Sequence, residues 1–140
     1  MSLPAGYNPM RWNCAASGCY NVVHRPKIEQ FAGCFPGRIA LTDVDATVEI
    51  GGHFLFIEWK GASVTEVPTG QRIYFERLTK LSPKIKAVIV SGDPQHMTCR
   101  AIRVIQNGKM GDWQICSMTQ LQQRIHAWSS AASRTRKHAA

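Results

Sequence analysis

The sequence predicts an α/β domain in which a mixed central β-sheet is flanked by helices. Three observations carry that expectation. Residues 41–50 and 53–60 alternate polar and apolar side chains on either side of Gly51-Gly52, the period of half-buried strands joined by a tight turn. Residues 71–81 place Tyr74, Phe75, Leu78 and Leu81 at helical spacing. Residues 86–91 contain the unbroken apolar run Ala87-Val88-Ile89-Val90, as in a strand covered on both faces. A helix between two strands of one sheet implies a crossover connection, which makes the sheet mixed.

Along the chain, residues 1–23 read as a partly disordered N-terminal extension, its first ten residues holding two Pro, a Gly and an Asn. Residues 24–31 suit a short helix with Pro26 in its first turn, Ile28 and Phe31 toward the core, and Glu29 upon it. Gly33, Pro36 and Gly37 then end it and lead into the hairpin. After Lys60, a loop with Gly61, Thr65, Pro68, Thr69 and Gly70 precedes the helix, and Pro83 follows it. A second hairpin is expected around Asn107-Gly108, from 98–105 and 113–116, with Arg100 and Arg103 on one side. Residues 118–128 read as a closing helix with Leu121, Ile125 and Trp128 spaced for burial. The expected organisation is one domain over 24–130 and a basic, flexible tail over 131–140.

The first hairpin holds the chemistry. Pairing Ile50 with His53 across the turn and counting outward sets Asp45 opposite Glu58, Asp43 opposite Lys60, Thr47 opposite Phe56 and Val44 opposite Trp59. Directly opposed Cβ atoms lie roughly 4.5–5.5 Å apart, so two carboxylates there would repel unless a cation, a proton or a lysine compensates. A solvated face with a routine ion pair is the ordinary explanation of such a pattern. Here Phe54 and Phe56 share the acidic face while Val44, Ala46, Val48, Ile50, Leu55, Ile57 and Trp59 fill the other, so both faces look covered. Covered carboxylates need a partner, and a hard cation with oxygen ligands, such as magnesium, fits best.

At Asp45, Glu58-Trp59-Lys60 and Gln71 the sequence resembles the PD-(D/E)XK nuclease superfamily, which includes restriction endonucleases, Holliday junction resolvases and small stand-alone phage and bacterial nucleases. The resemblance covers roughly residues 25–92. It implies a restriction-endonuclease-like core, with Asp45 and Glu58 as metal ligands, the Trp59 carbonyl assisting, Lys60 orienting the attacking water and Gln71 as an accessory residue. It also offers Glu29 as an acid reaching the site from the N-terminal helix. Thr42-Asp43-Val44-Asp45 lacks the Pro of the motif's name and offers two aspartates; the register favours Asp45, leaving Asp43 as a neighbouring acid or a partner for Lys60. The cofactor so implied is Mg2+, with Mn2+ able to substitute and no organic cofactor.

Composition agrees with a polyanionic partner. The chain has 140 residues, 44% of them hydrophobic, and its 17 Lys and Arg against nine Asp and Glu give a formal charge of +8. Three of those acids are Asp43, Asp45 and Glu58, so the remaining surface is strongly basic and suits phosphate contacts. Arg25, Lys27, Arg38, Arg72, Arg134, Arg136 and Lys137 are candidate contacts to DNA. No apolar stretch has the length of a membrane span and no signal-peptide pattern begins the chain, so a soluble cytoplasmic protein without a membrane partner is expected. Five cysteines do not suggest a disulfide framework; Cys14, Cys19, His24 and Cys34 could be drawn as a zinc site, but their spacing lacks a close Cys-X-X-Cys knuckle. The expected function is metal-dependent hydrolysis of DNA, structure-selective or in phage or repair work, and a resolvase would cut as a homodimer. The rival expectation is a catalytically idle nuclease-fold protein that binds DNA or a host protein.

Overall fold

The computed structural model describes residues 27–61, 63 and 66–139, with the side chains of 136–139 outside the description. They fall into two compact units, divided between Thr42 and Asp43. In the first, a 3-10 helix spans Ile28–Cys34. It starts later than the expected helix, buries no residue, and leaves Phe31 53% exposed where burial was expected.

The second unit is a mixed six-stranded sheet flanked by helices. Its strands are β1 (Ala46–Ile50), β2 (His53–Lys60), β3 (Ile85–Asp93), β4 (Thr98–Gln106), β5 (Lys109–Met110) and β6 (Gln114–Ile115). Helix α1 (Thr69–Lys80) links β2 to β3, and α2 (Met118–Ala139) closes the chain. The order is β1-β2-β3-β4-β5, with β6 also on β4. Only the β2–β3 pair is parallel; it is the pair the crossover joins.

Both expected two-residue turns are present. Gly51 and Gly52 have φ of 55° and 85°, and Asn107 and Gly108 of 53° and 81°, the left-handed pair a type I′ turn demands. The first turn sets Ile50 opposite His53 and Thr47 opposite Phe56, as counted from the sequence. The ladder stops at Ala46 and Ile57, so β1 is shorter than residues 41–50. The expected pairs Asp45–Glu58, Val44–Trp59 and Asp43–Lys60 are not in the ladder, and Val44 instead packs with the cluster around Phe56 and Phe75.

Alternation along β3 divides the core into two layers. Val88 and Val90 pack with Leu55, Ile102, Cys116 and Leu121 toward α2, whereas Ala87 and Ile89 pack with Val67, Phe75 and Ile105 toward α1. Each fully buried Leu, Ile or Phe contributes about 1.5–3 kcal/mol by leaving water. The sheet is therefore covered on both faces, but β1 is not: residues 46–49 are exposed, as befits a strand at the edge of the sheet.

In α2 the expected stripe is present, with Leu121 buried and Ile125 and Trp128 packed on the same layer, whereas α1 differs from its expected stripe. Phe75 is buried in α1, yet Tyr74 is 40% and Leu81 78% exposed, and the second buried residue is Thr79. Its hydroxyl donates to the Phe75 carbonyl and accepts the Gly108 N–H at 3.1 Å, tying α1 to the β4–β5 turn. At the start of α2, Ser117 and Gln120 exchange hydrogen bonds of 2.9 and 3.1 Å, a capping box. The helix runs on to Ala139, so residues 131–139 are helical rather than a loose tail. Beyond Trp128 there is neither Gly nor Pro, Ala is frequent, and Ala132 is buried. No described helix is long and apolar enough to cross a membrane.

Candidate metal and catalytic site

The site forms where the β1–β2 ladder ends. Beyond Ala46–Ile57, side chains replace the backbone pairing: the Asp45 N–H donates to Glu58 Oε2 at 3.3 Å, and the Trp59 N–H donates to Asp45 Oδ2 at 2.6 Å. Capture of these N–H groups by carboxylates ends the strand and brings Asp45 beside Glu58. The sequence-derived neighbour is thus correct, while the regular strand expected around it is absent.

Glu58 is only 8% exposed. It stands in parallel register with Ile89, a member of the layer beneath α1, so it faces that helix. Lys60, two residues on, shares the face, and its Nζ lies 3.7 Å from Glu58 Oε1. Gln71, in the first turn of α1, is close enough for its amide to favour the charged form of the Glu58 carboxylate. Its own Oε1 is buried without a hydrogen-bond partner.

These neighbours compete over the charge of Glu58. Burial pushes its pKa above the ordinary glutamate value, and the Asp45 charge pushes the same way; the Asp45 N–H, the Lys60 ammonium and the Gln71 amide pull it back. Raising wins. The carboxyl is held where its charge is costly, the condition under which a cation at the carboxylate is stabilising.

The donors present suit a hard cation: the Asp45 and Glu58 carboxylates, the unpartnered Gln71 Oε1 and the Trp59 carbonyl are all oxygen. Among the described residues no group of three or more His, Cys, Asp or Glu gathers anywhere. A cation here would keep several waters, as magnesium does and calcium need not.

The site lies at the carboxyl ends of the parallel β2–β3 pair, under the first turn of α1. Open α/β sheets bind ligands outside the carboxyl ends of their strands. The Pro68 position supplies no side-chain cap to α1.

Asp43 is exposed, outside the strand and not in register with Lys60. Glu29, Lys27 and Arg38 are exposed residues of the first unit. Arg25 lies outside the described residues, as do Cys14, Cys19 and His24, while Cys34 is an exposed free thiol. Arg72 is tied to Glu76 at 2.8 Å along α1. Arg134 is exposed on α2; Arg136 and Lys137 share that helix, with side chains outside the description.

One residue at the site is not among the sequence candidates. Ser91, 3% exposed, pairs with Lys60 across the parallel ladder, and its Oγ has no partner. Its signal in the sequence is a polar residue closing an otherwise apolar central strand, a pattern that by itself marks only the strand's end. In comparisons with known proteins, no family model, curated protein or solved structure matches the chain.

Proposed function

We propose that this chain is a metal-dependent nuclease that hydrolyses DNA phosphodiester bonds, a structure-selective endonuclease with a restriction-endonuclease-like core. The observation that supports it best is the meeting of Asp45, Glu58, Lys60 and Gln71, drawn from the residue before β1, from β2 and from α1, at the carboxyl end of the parallel strands. A formal charge of +8 on the whole chain favours a polyanionic substrate.

In this reading Asp45 and Glu58 hold Mg2+, with Mn2+ as a substitute, and Gln71 Oε1 and the Trp59 carbonyl complete the protein's share of oxygen donors. The chemistry supplied by the bound ion is Lewis acidity, which lowers the pKa of water and neutralises the scissile phosphate. Lys60 orients the attacking water and stabilises charge growing on the phosphate oxygens. Gln71 favours the ionised form of the Glu58 carboxylate, as the smallest of the influences acting on it. The described fold has no helix-turn-helix module for base readout, which favours recognition of DNA shape at junctions, flaps or ends.

The test is cleavage of a panel of four-way junction, flap and single-stranded DNA in Mg2+ by the wild type and by D45A, E58A and K60A. Wild-type cleavage with loss of at least about 10²-fold in each variant is expected. Cleavage persisting in all three would overturn the proposal. Binding of DNA with no cleavage by the wild type would favour the idle, DNA-binding alternative.

A further inference from the structure

Two buried polar atoms at the site have no hydrogen-bond partner, Gln71 Oε1 and Ser91 Oγ. An unsatisfied buried hydroxyl is destabilising, and an alanine at the same position would avoid that cost. The Gln71 oxygen has a use as a metal ligand in the proposed nuclease. The Ser91 hydroxyl has none.

Its setting is well defined. Ser91 lies on β3 in register with Lys60 on β2, and parallel partners direct their side chains to the same face, about 4.8 Å apart at the backbone. That face carries Glu58, in register with Ile89. Immediately after Ser91 the β3–β4 ladder shifts register. Bulges of this kind re-aim side chains next to functional sites. The irregularity is held tightly: a Cβ on Gly92 would stand 1.9 Å from the Thr98 carbonyl oxygen.

Lys60, for its part, is held by a weak partner. Its ion pair with Glu58 Oε1 spans 3.7 Å, longer than a hydrogen bond. Any cation taking the Glu58 carboxylate competes for that pair, and the ammonium then needs another acceptor on the same face. Ser91 Oγ is buried there, unpartnered and an acceptor by nature.

We propose that Ser91 is a positioning residue that receives the Lys60 ammonium when Glu58 is committed to a divalent cation, fixing Lys60 over the attacking water. The proposal rests on the nuclease reading and adds an exchange of Lys60 partners on metal loading. Without the cation Glu58 holds Lys60; in the loaded protein Ser91 does.

Two measurements test it. In crystals of the wild type soaked with Ca2+, Lys60 Nζ should lie within hydrogen-bond distance of Ser91 Oγ, with density for the ion between Asp45 and Glu58. In solution S91A should lose about tenfold in kcat with KM and Mn2+ affinity unchanged and thermal stability equal to or above that of the wild type, and S91T should recover most of the loss. The inference is overturned if the Ca2+-loaded protein keeps Lys60 on Glu58 with a water on Ser91 Oγ, or if S91A matches an active wild type. If Ca2+ finds no place between the carboxylates and the wild type cleaves nothing, the nuclease reading falls and takes this inference with it. Normal ion binding and cleavage with an indifferent S91A removes the inference alone.

Discussion

Glu58 accepts the backbone N–H of Asp45, and Asp45 accepts that of Trp59, the residue after Glu58, at 3.3 and 2.6 Å. Backbone donors that would extend a sheet are spent on two acids, which fixes like charges side by side. Such an arrangement costs stability in the metal-free protein, and removing one charge should recover it.

The folded-state pKa of Glu58 is raised, so between the ordinary glutamate value and that higher value the folded protein binds more protons than the unfolded chain. Stability therefore falls as pH rises through this window. E58Q, which keeps an oxygen for the Asp45 N–H, should melt a few degrees above the wild type at neutral pH and converge with it in acid. Thermal melts from about pH 4 to 8 measure the difference. Added Mn2+ should raise the wild-type midpoint and leave that of E58Q unmoved; equal shifts in both would place any ion elsewhere.

Gln71 acts on the same carboxylate from the helix. Its amide lowers the Glu58 pKa, so Q71L should raise that pKa further and carry the acidic limb of the pH–rate profile upward. The loss should be a few-fold at low pH, on the order of a fraction of a pKa unit, and shrink as pH rises and Glu58 ionises. A loss equal at every pH would assign Gln71 to metal binding alone.

How far the sequence reveals this arrangement depends on whether neighbours are local. The turn at Gly51-Gly52 fixes register by backbone geometry, so the meeting of Asp45 with Glu58 follows from counting residues outward from the turn. The end of the strand at Ala46 does not, because it depends on a side chain outcompeting the backbone for the Trp59 N–H. Ser91 is separated from Lys60 by the whole crossover, and parallel register is set by how α1 packs rather than by a turn. Thr79 is hidden for a similar reason: its burial depends on a partner, the Gly108 N–H, in a distant turn. The continuation of α2 is a matter of local propensity, in which an Ala-rich, Gly-free segment outweighs the basic residues that suggest a loose tail.

Thr79 offers a test of the fold independent of function. It is fully buried, and its hydroxyl serves the Phe75 carbonyl and the Gly108 N–H together. T79V preserves the volume but leaves a donor in the β4–β5 turn without its acceptor. A loss of about 1–3 kcal/mol in denaturant unfolding is expected, along with faster amide exchange at Gly108. Unchanged exchange there would mean that the turn is held by its backbone alone.

Cys99 and Cys116 belong to the layer beneath α2. Burial, reinforced by the neighbouring Cys116 thiol, pushes Cys99 up to about 11. Below that pH it is a thiol and a poor nucleophile. Iodoacetamide at neutral pH should therefore modify Cys99 on the order of 10²-fold more slowly than the exposed Cys34, as peptide mass spectrometry would show. Comparable rates would mean that the sheet opens around Cys99 on the timescale of labelling.

The basic end of α2 bears on the substrate. Because this segment is helix to Ala139, Arg134, Arg136 and Lys137 are presented on a regular scaffold rather than a loose chain. Replacing all three with Ala retains good helix formers and removes only charge. If each meets one phosphate, the slope of log K for DNA against log salt should become shallower by about 2–3, at roughly 0.9 per contact. The measurement is best made without divalent ions, so that binding is read without turnover. An unchanged slope would remove this end of the helix from the DNA interface and leave the charge nearer the site to hold the substrate.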